Sequence, residues 1–106
     1  MEESDDLFET TDIQVVPEDD FELTNYDPSQ NKTQNKLSRY EKTTVLIMRT
    51  SELMNGAEPY IDAIEGKQAE EIAELELQQK KIPYIIRRNL INHMDYWKLE
   101  DLLSLD

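Results

Sequence analysis

A chain of 106 residues with a formal net charge of −13, no cysteine and one histidine has room for one domain and a tail. The acidity disfavours direct nucleic-acid binding, which needs an excess of Lys and Arg to meet phosphates, and the lack of cysteine excludes disulfides, thiolate zinc sites and a thiol nucleophile. No apolar run approaches membrane-spanning length, and the acidic N-terminus does not read as a secretory signal, so no membrane partner is expected.

Residues 1–36 hold eleven acids against Lys32 and Lys36, a net of −9, whereas residues 37–106 hold thirteen acids and nine bases, a net of −4. High charge with few apolar residues predicts a disordered acidic tail and linker over 1–36, because burial cannot offset the entropy of ordering. Leu7-Phe8, Ile13-Val15-Val16, Phe21-Leu23 and Tyr26 interrupt the acids. Asp19-Asp20-Phe21-Glu22-Leu23 has the form of an acidic segment with an apolar anchor, which makes Phe21 the candidate for docking into a partner such as a transcription factor. The plainer reading is a solubilising tail. Residues 29–36 are polar and place the domain boundary before Leu37.

Ser38-Arg39-Tyr40-Glu41 is a capping box, and Asn55-Gly56 is a stop signal, so a helix is expected near 39–55. Residues 57–66 form a connector. A second helix is expected near 67–80, with Ala69, Ile72, Ala73 and Leu77 as its apolar stripe and Glu70, Glu71, Glu74, Glu76 and Lys80 as its wet face. Pro83 ends that pattern, and Tyr84–Leu90 reads as a strand. Arg87 and Arg88 are adjacent in it, so they point to opposite faces and cannot both be directed at one core. A turn at 91–94 leads to a second strand over 95–99, and Leu102, Leu103 and Leu105 are expected to pack on the domain or on a partner. The fold class these elements predict is mainly α with a short C-terminal β element, preceded by the disordered acidic tail. Seventy residues bury only about 60% of their unfolded surface, which suggests a domain completed by a larger partner.

Catalytic chemistry is missing. His93 is the lone histidine and sits in a turn, the cluster of Glu70, Glu71, Glu74 and Glu76 reads as a solvated helix face, and there is no phosphate-binding glycine loop. No catalytic residue, metal site or cofactor is expected.

Three blocks in order carry a resemblance. They are Tyr40-Glu41-Lys42 with Val45-Leu46 and Arg49; Ile72-Ala73 and Glu76-Leu77 leading to Lys81-Ile82-Pro83, Ile85-Ile86-Arg87-Arg88 and Leu90; and Trp97 with Leu99, Leu102 and Leu103. From Leu37 to Asp106 the chain resembles the omega family of small RNA polymerase subunits, closest to the sixth subunit common to eukaryotic RNA polymerases I, II and III and to archaeal subunit K. The resemblance implies a non-catalytic subunit that clasps the largest subunit, contacts its neighbours in a hetero-oligomer, and promotes assembly and stability. Ile47 in place of a usual Gly, Gln68-Ala69 in place of Asp-Pro, Ile91-Asn92-His93 in place of a Pro-Asp-Gly turn and Lys98 in place of Gly suggest a divergent or virus-encoded polymerase. Localisation would be the nucleus for a cellular protein, and host cytoplasm or virion for a viral one.

The interface candidates are Tyr40, Arg49, Lys81, Arg87, Arg88 and Trp97, with internal ion pairs and core packing as the competing reading of the arginines and aromatics. On that assignment, reversing the charge of both Arg87 and Arg88 should leave secondary structure mostly intact and weaken association. The alternative function is a free-standing acidic interaction module or nucleic-acid mimic, which the net charge favours and its concentration in the tail disfavours.

Overall fold

The computed structural model describes residues 12–62 and 64–103. Residues 1–11, the start of the expected tail, and Leu105 lie outside the described residues. The elements in chain order are β1 (Ile13–Pro17), α1 (Arg39–Met54), α2 (Ala69–Gln78), β2 (Tyr84–Leu90) and β3 (His93–Lys98), with single 3-10 turns at 18–20, 23–25, 28–30 and 99–101.

The expected fold class is corrected. A three-stranded antiparallel sheet in the order β1-β2-β3 stands beside the two helices, so the domain is α with β rather than mainly α. The third strand comes from the stretch expected to be disordered. Ile13-Gln14-Val15-Val16-Pro17 pairs with β2, Val15 opposite Ile86 and Gln14 opposite Arg87. Composition averaged over an acid-rich window hides this strand. It alternates two faces, and its β-branched residues find apolar partners only about seventy residues later.

The helices and the hairpin form for local reasons. Ser38 Oγ accepts from the Glu41 N–H at 3.1 Å and the Glu41 carboxylate accepts from the Ser38 N–H at 3.0 Å, closing the capping box that starts α1. Gly56 takes the left-handed conformation that ends it, at φ 101°. The α2 helix ends with the Lys80 N–H on Leu77 O and the Lys81 N–H on Glu76 O, and Lys80 fills the left-handed position usually given to glycine. A two-residue loop, Ile91-Asn92, joins β2 to β3, with Asn92 at φ 62°.

One face of the sheet presents Tyr84, Ile86 and Trp97 to Val45 of α1 and to Leu37, Ile82, Leu99 and Leu102, with Val15, Met48 and Leu77 packed at the margin. Fully burying one such aliphatic side chain contributes about 1.5–3 kcal/mol. The opposite face holds Ile85, also fully buried. Residues 18–31 cross that side, where Phe21 lies with its ring 5.0 Å from Tyr96. The chain then returns along β3, and a backbone bridge joins Lys36 to Leu103, with the Leu37 N–H on Leu103 O and the Leu103 N–H on Asn35 O. Residues 12–36 thus form a strap around the sheet.

Candidate functional site

Arg88, on the core face of the central strand, is fully buried and uses every donor it has. Its Nε donates to Glu41 Oε2 at 2.7 Å and Nη2 to Glu41 Oε1 at 2.8 Å. Nη1 donates to Thr33 Oγ1 and Gln34 O, both at 2.8 Å, and Nη2 also to Lys36 O at 2.7 Å. The five N–H groups of a guanidinium are thereby matched. Glu41 serves twice, as capping acid of α1 and as the counter-ion of Arg88, and it is itself fully buried.

Arg49, 2% exposed, ties the two helices and the connector together. Its Nε and Nη2 donate to the Glu76 carboxylate at 2.6 and 3.0 Å, Nη1 to Glu52 at 3.0 Å and Nη2 to Glu58 O at 3.1 Å. Its guanidinium also lies 4.4 Å from the centre of the Tyr60 ring. Burial works against this charge, and the hydrogen bonds to Glu76 and Glu52 overcome it, so the guanidinium is held above its ordinary pKa. Arg49 and Arg88, expected as interface candidates, therefore point inward and hold the domain. Reversing the charge at Arg88 would strike the fold before it touched any association.

The strap is anchored by polar groups of β3. Asn31 Nδ2 donates to Tyr96 O at 2.7 Å while its Oδ1 accepts the Tyr96 N–H at 3.0 Å, so one side chain mimics a strand partner. Tyr26 Oη donates to Asp101 at 2.7 Å and accepts the Lys98 N–H at 3.0 Å. Burial and the Asp101 carboxylate push its phenol above the ordinary range. Asp95, fully buried, accepts the N–H groups of Lys32 and Thr33, and the Thr33 hydroxyl. His93 Nε2 lies 2.9 Å from Asp95 Oδ1 without hydrogen-bond alignment.

Burial would raise the Asp95 pKa, but the bonds from Thr33 and Lys32, with His93 nearby, outweigh it and hold the carboxyl below the ordinary range. An acid whose folded pKa lies below its unfolded value stabilises the fold above the unfolded value and loses that contribution as pH falls through the folded one. The strap should stay docked at neutral pH and loosen below about pH 4. Protection factors of the Lys32 and Thr33 amides, corrected for intrinsic exchange, should fall there in the native chain. Equal protection at about pH 2 and about pH 6, either side of the ordinary carboxylate range, would sink this assignment.

The remaining candidates scatter. Trp97 is buried, and its indole N–H donates to Thr33 Oγ1 at 3.1 Å. Phe21 packs on Tyr96 of its own chain. Arg87 is half-buried between Gln14 and Tyr96 on the strap side of the sheet, its Nε making no hydrogen bond among the described residues. Lys81 is exposed just past α2, and Tyr40 is 51% exposed in the first turn of α1.

Tyr40 begins a feature that sequence reasoning missed. Ile47 and Met54 are 64% and 72% exposed, and the three residues are spaced by seven. A spacing of seven is nearly two turns, so they form one line along α1, opposite the buried Glu41, Val45 and Arg49. Beside this line a groove of about 580 Å³ runs between the helices, lined by Leu46, Thr50, Glu70 and Glu74 among others. The signal was present in the sequence, as the apolar residues of α1 fall into two stripes rather than one.

No protein-family model matches the chain. It is similar to the DNA-directed RNA polymerases II and V subunit 6B of Arabidopsis thaliana, at 33% identity over 111 aligned positions that take in the whole chain and 76% of that protein.

Proposed function

Because the chain belongs to the subunit 6 family of DNA-directed RNA polymerases, we propose that it is a non-catalytic subunit which clasps the largest subunit of a multisubunit polymerase and promotes assembly and stability of the enzyme. The observation that carries this reading is similarity over the whole chain to a polymerase subunit. The exposed apolar line on α1 supports it, since a row of large apolar side chains in water is the usual mark of a protein partner. Of the residues named from sequence, the exposed Tyr40 and Lys81 and the half-buried Arg87 are the proposed contacts with neighbouring subunits, whereas Arg49, Arg88 and Trp97 are buried within the domain. The nucleus is the location for a cellular enzyme; host cytoplasm or virion suits a virus-encoded one. A free-standing acidic module is the weaker reading, because similarity extends through the acidic segment to the C-terminus.

Purification of the tagged full-length chain from its native cells tests this. We expect both large polymerase subunits at near one-to-one stoichiometry. Recovery of the chain alone, or with unrelated acid-binding proteins, would overturn the proposal.

A further inference from the structure

We propose that the groove between α1 and α2 seats an amphipathic helix of the large polymerase subunit, with apolar anchors on α1 and lysine or arginine side chains along its α2 flank. This deepens the polymerase reading and rests on it.

The chemistry of the groove selects the occupant. Its α1 wall is apolar, with Ile47 and Met54 exposed beside Leu46, and Thr43, Thr50 and Ser51 keep the floor low between them. Its α2 wall is mostly acidic, with Glu70 and Glu74 lining the groove, Glu71 beside them and Lys67 as a base at its margin. Lys42 approaches Glu74 at 4.0 Å, at the end of the groove nearer the start of α1. The line from Tyr40 to Met54 extends about 21 Å at the helical rise per residue. A ridge of large residues with small ones between accepts the ridge of a second helix. A partner strand is disfavoured, because the flanking elements are helices whose backbone groups are already bonded along their own axes.

Charge disfavours three other occupants. A second copy of this chain would bring another net charge of −13 against the same acidic wall. An anionic membrane surface or a nucleic acid meets the same repulsion. A cationic, apolar helix satisfies both walls at once.

The test uses the full-length chain co-expressed with the large polymerase subunits. Wild type, Ile47→Asp, and Glu70→Lys combined with Glu74→Lys are compared, with Ile91→Asp as control, since Ile91 is 92% exposed and outside the groove. Circular dichroism should show all four folded alike, because the substituted side chains lie at the surface. Loss of a central apolar anchor should reduce complex formation roughly tenfold to a hundredfold. The double lysine variant should also weaken it and flatten its salt dependence, while Ile91→Asp should bind as wild type. If Ile47→Asp and the lysine variant retain the large subunit as wild type does, the groove assignment is overturned and the polymerase reading stands. If wild type fails to retain it, both fall.

Discussion

Replacing Arg88 with methionine should lower the stability of the domain by about 3–5 kcal/mol, which is the cost of leaving one member of a buried ion pair without its counter-ion. Methionine keeps much of the arginine stem, so the loss is not one of packing volume. What remains is a Glu41 carboxylate buried at 0% exposure, still held by the Ser38 N–H but without its two guanidinium bonds. The carbonyls of Gln34 and Lys36 lose their donors in the same step, so the strap and the helix start fail together. Urea denaturation followed by Trp97 fluorescence reads the change. Adding Glu41→Gln to the Arg88→Met variant should recover part of the loss, because the uncompensated charge is then gone. A single variant as stable as the wild type would refute the account. The same reasoning replaces the expectation that reversing Arg87 and Arg88 together would spare the fold.

The second large effect concerns residues 1–36. A chain beginning at Leu37 should lose its cooperative unfolding transition. It lacks β1, so the edge of β2 stands open with unpaired backbone groups. It lacks Val16, the strand partner of the fully buried Ile85. It also lacks Thr33, Gln34 and Lys36, which supply three of the five acceptor contacts around Arg88, and the N–H groups that hold Asp95. A chain beginning at Asp12 keeps all of these and should unfold as one transition. Calorimetry on the two truncations, side by side, distinguishes a strap that completes the core from one that merely covers it. A sharp transition near the wild-type temperature in the shorter chain would show the latter.

The local elements were legible, and the long-range ones were not. Ser38 with Glu41, Asn55-Gly56 and Pro83 announce their boundaries through neighbours within four residues, and both helices and the 84–90 strand follow from them. The partner of Arg88 is 47 residues away and that of Arg49 is 27 away, and no period in a sequence encodes such a pairing. Glu41 was legible as a cap, and its second bond was not. Ile13, Val15 and Val16 read only as apolar interruptions among acids, because their strand partners, Ile86 for Val15 and Ile85 for Val16, lie about seventy residues later. Phe21 stood out as an anchor by its setting among acids, yet its ring lies on Tyr96 of the same molecule.

The pairing of the first strand with residues near the end of the chain also governs when the protein can finish folding. At roughly 5–20 residues added per second, β1 emerges from the ribosome several seconds before its partner exists. The β2–β3 hairpin closes over a two-residue loop and forms early, whereas β1 must close a loop of some seventy residues and docks late. During that interval the nascent segment is kept apart from other chains by its own acids, since a strand flanked by like charges pairs poorly with its copies. The concentration of negative charge beside β1 thus disfavours pairing between nascent chains while its own partner strand is still to come.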